Sequence, residues 1–194
     1  MRRSTPCLAL IALSLALLLP AVAFAHCDTM DGPVVKAARE ALRTRNANFV
    51  LIWVQKQDEA EVRHAFRQAL AVRRSGGAAR ELADKYFFET VVRLHRAGEG
   101  EPYTGLKPAG TEAAPIIRAL DAAVKTGSVE PVLAMLPAEA RGDVRERFSQ
   151  VVALKGFDAD DVDAGRRYVK SYVTFIHHVE HLYGERAPGA GHAH

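Results

Sequence analysis

Apolar residues recur along the chain at three- and four-residue intervals, which is the period of one buried face of an α helix. Val34, Ala38 and Ala41 form one such stripe, and Val62 and Phe66 begin another. No stretch alternates apolar and polar residues over the length of a strand, so the predicted fold class is all-α. The stripes predict helices over 33–45, 47–55, 58–74, 78–97, 115–126, 128–136, 138–154 and 160–183.

The second half of the chain repeats the first at a constant offset, which carries Pro33 onto Pro115. PVVKAAREAL begins at Pro33 and PIIRALDAAV at Pro115, and both prolines stand where the first turn of a helix tolerates one. When 33–95 is laid without gaps over 115–177, 14 positions are identical. Self-similarity at a fixed offset indicates a repeated structural unit. We therefore expect a helical repeat at 33–97, a Gly- and Pro-rich linker at 98–114 and a second repeat at 115–184, packed about a pseudo-two-fold axis.

The first 25 residues have the composition of a secretory signal peptide. Arg2 and Arg3 precede an apolar run that ends in Ala23-Phe24-Ala25, a small-x-small cleavage pattern. An uncleaved membrane anchor is the alternative, which Pro20 and the cleavage pattern disfavour. Export predicts a periplasmic or secreted protein that begins at His26, with no segment of membrane-spanning length after the cleavage site.

The balance of charged residues does not indicate a nucleic-acid partner. Lysine and arginine number 26 and aspartate and glutamate 23, a net charge of +3 that falls to +1 when residues 1–25 are removed. No basic run is interleaved with aromatic residues, so nucleic-acid binding is not expected. The tail over 185–194, which contains His192 and His194, has the composition of a disordered segment.

Cleavage would leave one thiol. Cys7 leaves with residues 1–25, and Cys27 becomes the second residue of the exported chain. A single cysteine cannot form an internal disulfide. We expect Cys27 to be buried, paired between chains or bound to something, and burial fits a chain terminus least well.

Histidines mark one helix face as a candidate site. His95 and His177 are equivalent under the duplication, and His181 follows His177 at the i, i+4 spacing by which two imidazoles reach one metal. We expect these three on the apolar side of the fourth helix of each repeat, and His178 in solvent. The structural alternative is that the rings cap helix ends or donate one hydrogen bond to the backbone.

His26, Cys27 and Asp28 form the second candidate feature. After cleavage, His26 offers an α-amine and an imidazole that together chelate a metal, and Cys27 adds a thiolate suited to soft or borderline ions. Asp28 and Asp31 are hard ligands or hydrogen-bond acceptors. This donor set favours copper or nickel over zinc. The alternative is a frayed end whose residues merely suit the signal peptidase.

The segment HCDTMDG (26–32) resembles the hook of nickel superoxide dismutases, which reads His-Cys-Asp-x-x-Cys-Gly. The resemblance implies nickel held by the α-amine and imidazole of His26 and by the amide and thiolate of Cys27. The second cysteine of the hook falls on Asp31 here, so a carboxylate replaces one soft ligand of the hook.

Most of the remaining chain resembles a family of small exported bacterial proteins of unknown function. GPVVKAAREAL, YFFETVVRLHRAGEGEPYTGLKPAGT and YVKSYVTFIHHVEHLYG carry this second resemblance. It implies export and a helical fold.

Two functions are therefore expected from the sequence. The first is an exported helical protein that binds copper or nickel for carriage, sensing or redox chemistry on a small oxygen species, with metal ligands among His26, Cys27, Asp28, His95, His177 and His181. The second is a helical scaffold that binds a protein partner, with Cys27 in an intermolecular disulfide. The position of residues 26–28 relative to the histidine face discriminates between them.

Overall fold

Helices account for most of the computed structural model, which describes residues 26–111 and 114–184. The predicted signal peptide (1–25) and the predicted tail (185–194) lie outside the described residues. Eight α helices occur in the described ranges, and they contain no strand beyond one isolated bridge, which confirms the all-α class. They are α1 (Pro33–Thr44), α2 (Asn48–Leu51), α3 (Glu59–Arg73), α4 (Gly77–Glu99), α5 (Pro115–Thr126), α6 (Glu130–Leu133), α7 (Arg141–Leu154) and α8 (Val162–Gly184).

Helix boundaries recur along the chain at the offset found in the sequence. Helices α1 and α5 begin at the equivalent prolines and have 12 residues each, and α2 and α6 start at equivalent positions with four residues each. Short 3₁₀ turns at Lys56–Asp58 and Ala138–Ala140 then precede α3 and α7, and these turns and helices also begin at equivalent positions. Only the start of the last pair differs, since the offset places the start of α8 at position 159 and the helix begins at Val162.

Helices α2 and α6 are shorter than the apolar pattern predicts. After Leu51 the backbone closes i to i+3 hydrogen bonds, from the Trp53 amide to the Val50 carbonyl and from the Val54 amide to the Leu51 carbonyl. Trp53 and Val54 nevertheless stay buried. The apolar run therefore continues past the helix because the turn itself lines the core.

Corresponding helix pairs pack in the same way in both halves. Helix α3 packs along α4, with Phe66 and Phe87 rings 5.5 Å apart, and α7 packs along α8, with Phe148 and Phe175 rings 5.8 Å apart. One continuous hydrophobic core joins the halves, because α2 also contacts α8. At that contact Gly165 lets α8 approach Ile52 closely.

Residues 100–111 and the amino-terminal segment bind each other. The Met30 amide donates to the Lys107 carbonyl and the Lys107 amide to the Asp28 carbonyl, both at 2.9 Å. The Gly110 amide donates to the Asp31 carboxylate at 3.0 Å. Helix α4 ends at Glu99, two residues beyond the predicted end of the first repeat. The segment that follows it thus holds residues 28–31 in place. None of the described helices is long and apolar enough to cross a membrane.

Candidate functional site

Residues 26–32 fold into a compact turn against α1. His26–Asp28 form a 3₁₀ turn, and the Thr29 hydroxyl donates to the His26 carbonyl at 3.1 Å. The turn needs glycine at its end, because a Cβ on Gly32 would lie 2.2 Å from the His26 oxygen. Gly32 is therefore needed for the turn that carries His26 and Cys27.

His26 is tied to the second half of the chain. Its Nε2 lies 2.8 Å from Oδ2 of Asp121 on α5, and the Tyr172 hydroxyl of α8 donates to Oδ1 of the same carboxylate at 3.3 Å. A carboxylate oxygen accepts this hydrogen bond, so Nε2 is the donor, and in the neutral ring Nδ1 then carries the lone pair. Residues 26–28 therefore lie on the bundle instead of extending into solvent.

Cys27 lies partly buried in a surrounding of acidic groups. Burial raises the pKa of its thiol well above the ordinary value, and the charges of Glu99, Asp28 and Glu180 raise it further. The Arg96 guanidinium opposes them. A buried thiol among carboxylates stays protonated at neutral pH, so Cys27 is a weak nucleophile as it stands.

Asp28 faces a buried arginine. Asp28 and Arg96 are 1% and 4% exposed, and Asp28 Oδ1 lies 3.6 Å from Arg96 Nε. Burial raises the pKa of Asp28 from 3.8 to about 6, although the positive charges of Arg96 and Lys107 lower it in part. Glu99 and Glu101 also approach Arg96, at 3.1 and 3.5 Å. Asp28 thus takes part in a buried charge network.

His95 is buried on α4 beside that network. Its Nδ1 donates to the Trp53 carbonyl at 2.9 Å, and its Nε2 lies 3.4 Å from Glu99 Oε1. Burial lowers the pKa of His95, partly offset by Glu99. The Trp53 ring meets His95 and Tyr172 edge-on, at 5.6 and 6.0 Å. The hydrogen bond to the backbone agrees with the structural alternative for this histidine.

The two candidate histidines of α8 are not buried as His95 is. His177 and His181 are exposed, so the expectation that they lie on the apolar side of the helix is wrong. The buried stripe of α8 runs through Val169, Tyr172, Ile176 and Val179, and residue 177 lies about 100° around the helix from residue 176. The charge of His177 still reaches His95 and Glu180.

His178, expected in solvent, is half-buried. Its Nε2 lies 2.6 Å from the Asp143 carboxylate of α7. This ion pair joins α7 and α8 away from the apolar stripe.

Several residues that lie around His26, Cys27 and His95 were not predicted from the sequence. We call His26, Cys27, Asp28, His95, Arg96, Glu99, Asp121, Tyr172 and Glu180 the amino-terminal cluster. The spacing on α4 could have indicated three of them. His95 and Glu99 are four residues apart, and Arg96 and Glu99 are three apart, so each pair lies on one helix face. Asp121, Tyr172 and Glu180 join only through tertiary packing.

Two buried pairs in the cluster make no hydrogen bond within the described residues. Asp28 Oδ1 faces Arg96 Nε, and His95 Nε2 faces Glu99 Oε1. Buried polar atoms are nearly always hydrogen-bonded in folded proteins, to protein groups, to water or to a bound species. In the described ranges, however, no three His, Cys, Asp or Glu side chains are arranged to hold a metal ion.

Fold and cluster together define an all-helical protein whose amino-terminal segment closes a buried polar network. The chain belongs to a family of unknown function, DUF6448, whose sequence profile matches residues 31–178. This confirms the expected membership of an uncharacterised family. The match begins after His26, Cys27 and Asp28. No curated protein and no solved structure matches the chain significantly.

Proposed function

We propose that the chain is an exported protein that binds a transition metal through the α-amine and imidazole of His26 and the thiolate of Cys27. The hydrogen bond between His26 Nε2 and Asp121 is the observation that carries the proposal. It assigns the proton to Nε2 and leaves Nδ1 as the coordinating nitrogen.

Nδ1 is the ring nitrogen that a terminal histidine needs. Three carbons, Cγ, Cβ and Cα, separate Nδ1 from the α-nitrogen, so one metal closes a six-membered chelate with both. A second group that holds the other ring nitrogen orients the ligand and raises its basicity, as carboxylates do for metal-bound histidines. Asp121 is placed to do this for His26.

The charges around Cys27 also favour a cation. Glu99, Asp28 and Glu180 all raise the pKa of the thiol, so these same charges stabilise a positive ion that replaces the thiol proton. An amine, an imidazole and a thiolate prefer copper or nickel to zinc. With such an ion bound, the protein would serve in metal carriage, in metal sensing or in one-electron chemistry.

Removal of residues 1–25 is part of the proposal. The uncleaved chain has an amide nitrogen at His26 where the chelate needs an amine, so the proposed ligand set is complete only after residues 1–25 are removed. The basic start and apolar run of residues 1–25 support export to the periplasm or beyond the cell. The likeness of HCDTMDG to the nickel hook supports nickel, with Asp31 in place of the second thiolate.

We further propose that 33–97 and 115–184 are two copies of one unit related by a pseudo-two-fold axis. The offset that carries Pro33 onto Pro115 relates the two halves in the sequence and in four pairs of element starts, which supports the proposal. His95 is buried and its equivalent His177 is exposed, which favours a metal site that belongs to residues 26–28 and not to the repeated unit.

Metal analysis of the processed protein tests the proposal. The full chain is expressed with residues 1–25, its mass is checked for a start at His26, and bound copper, nickel and zinc are measured as isolated and after titration. We expect stoichiometric copper or nickel, lost in His26→Ala and Cys27→Ser and kept in His64→Ala, a matched change at an exposed histidine of α3.

A residue added before His26 tests the chelate, because it moves the α-amine away from the imidazole. A form with one glycine before His26 keeps every side chain and breaks only the chelate, so it should bind at least about tenfold more weakly. A correctly processed protein that takes up no metal would contradict the proposal and leave the helical scaffold as the function to test.

A further inference from the structure

Helices α1, α3 and α4 surround a second feature, a cavity of about 760 Å³ on the side of the first unit. Its size lies within the range of small-molecule sites. Leu42, Leu70 and Phe88 provide apolar walls, and Asp84 is the one carboxylate that lines it among the described residues. The cavity is lined by six arginines: Arg39, Arg43, Arg45, Arg73, Arg74 and Arg80.

Three of these arginines have partners that fix them. Arg73 Nη1 lies 2.7 Å from Asp84 Oδ1, Arg43 pairs with Glu40, and the guanidinium of Arg39 lies 4.8 Å from the centre of the Phe88 ring. These contacts give the lining a defined shape.

The other three carry uncompensated charge. Arg45, Arg74 and Arg80 are exposed, and no carboxylate of residues 26–111 or 114–184 pairs with them. Three guanidinium groups at one cavity repel each other unless an anion lies between them. The positive charge at the cavity therefore favours binding of an anion.

Arg45 occupies a strained backbone conformation. It has φ 58°, the only positive φ at a non-glycine residue in the described ranges, at the carboxyl-terminal cap of α1. Glycine is the residue that such a cap normally uses, because a Cβ is unfavourable there. Gly127, the equivalent residue at the end of α5, has φ 78°. The fold thus accepts glycine at this cap, and the first unit carries arginine instead.

The second unit lacks the basic lining. Positions 39, 43, 45, 73 and 74 correspond, at the offset of the repeat, to Asp121, Lys125, Gly127, Lys155 and Gly156. Five positive charges in the first unit become two positive and one negative in the second. The arginines are therefore not a general requirement of the helical unit.

We propose that this cavity binds a ligand with two or more phosphate groups. Guanidinium forks match phosphate oxygens with paired hydrogen bonds, and each phosphate supplies up to two negative charges. The volume exceeds what a single phosphate fills, and Phe88 and Leu70 can contact the body of the ligand. A soluble oligophosphate and a phospholipid headgroup at a membrane surface share this chemistry.

Binding of two probes to the processed full chain tests the proposal. Tripolyphosphate is titrated by calorimetry at low salt, and sedimentation with phosphatidylglycerol vesicles is compared with phosphatidylcholine vesicles. Tripolyphosphate binding without vesicle binding identifies a soluble ligand. Binding to the anionic vesicles that tripolyphosphate competes away identifies a headgroup.

Single and double variants distinguish binding at this cavity from non-specific attraction to the positive charge of the protein. Arg45→Gly should weaken binding about tenfold while the unfolding midpoint stays the same or rises, since glycine relieves the backbone strain. Arg74→Gln together with Arg80→Gln should weaken it about a hundredfold. Arg67→Gln, an exposed arginine of α3 outside the lining, should change affinity less than about twofold. Failure of both probes to bind up to about 1 mM, or equal losses in all variants, would overturn the proposal.

Discussion

The His26 imidazole and the Asp121 carboxylate lie 2.8 Å apart, in a contact between the amino-terminal turn and helix α5. The two residues are far apart in the chain, and they meet only because the turn folds back onto α5. Tyr172 of α8 binds the other oxygen of the carboxylate, so one aspartate connects three elements. The contact fixes one ring nitrogen of His26 and frees the other, which is why the proposed ligand set begins there.

Loss of the Asp121 carboxylate should weaken metal binding more than folding. Asp121→Ala leaves His26 without its orienting partner, and such partners typically contribute about 10–100-fold in metal affinity. Because the Asp121 side chain is 42% exposed, the free energy of unfolding should fall by about 1 kcal/mol or less. Titration with copper or nickel and urea unfolding measure the two effects.

A second aspartate provides the matched control. Asp143 holds His178 as Asp121 holds His26, but at α7 and outside the amino-terminal cluster. Asp143→Ala should leave the metal affinity unchanged. Equal losses from the two variants would show that neither aspartate acts through a metal ligand.

Asp28 should make the metal-free protein less stable as the pH rises from about 4 to about 6. Its pKa is 3.8 in the ordinary state and about 6 when buried in the fold, so between these values the folded chain binds more protons than the unfolded one. The free energy of unfolding then falls with rising pH, by at most about 3 kcal/mol from this group. The loss is complete above the folded pKa.

Asp28→Asn isolates this contribution from the other titrating groups. The variant cannot ionise, and Arg96 keeps Glu99 and Glu101 as partners. Relative to the parent chain, its free energy of unfolding should rise between pH 4 and pH 7. Urea unfolding in the presence of a chelator gives the difference at each pH, and a constant difference would show that the folded pKa is not raised.

Local sequence patterns predicted the fold well because the elements depend on neighbouring residues. The stripes through Val34 and Val62 locate α1 and α3, and proline at 33 and 115 marks the first residues of α1 and α5. The four-residue helices α2 and α6 were overestimated most, since Trp53 continues the apolar pattern while the backbone turns. The predicted start of α7 was three residues early, because a 3₁₀ turn precedes the helix.

The candidate site was harder to predict because its members come from distant elements. His95 was found by its repetition at His177, but repetition in the sequence did not carry over to burial. Helix α8 starts later than the repeat predicts and buries Ile176 instead of residue 177. Arg96 and Asp121 look like solvent-facing charges in the sequence, and only packing joins them to residues 26–28.

The caps of α1 and α5 should respond in opposite ways to substitution. Arg45→Gly should raise the free energy of unfolding by up to about 1 kcal/mol, because glycine adopts the left-handed conformation without a Cβ contact. Gly127→Ala should lower it by about 1 kcal/mol for the same reason. Thermal or urea unfolding of the two single variants checks the signs, and a stabilising Gly127→Ala would refute the assigned backbone conformation.

Gly165 should be intolerant of even one methyl group. A Cβ there would lie 2.3 Å from Ile52 Cγ2 and 3.0 Å from Phe157 Cε2, where α8 crosses α2. Overpacking of this kind typically costs about 1–3 kcal/mol, more than the gain of up to about 1 kcal/mol from alanine in a helix. Gly165→Ala should therefore lower the free energy of unfolding.

Gly142 is the control, because it lies in α7 with no atom within 4 Å of an added Cβ. Gly142→Ala should raise the free energy of unfolding by up to about 1 kcal/mol. Ile52→Ala removes the atom closest to the added methyl, so the double variant with Gly165→Ala should be more stable than the sum of the single effects predicts. Urea unfolding of all four chains measures this coupling. If the effects of Ile52→Ala and Gly165→Ala simply add, the close approach of α8 to α2 is not what makes glycine necessary.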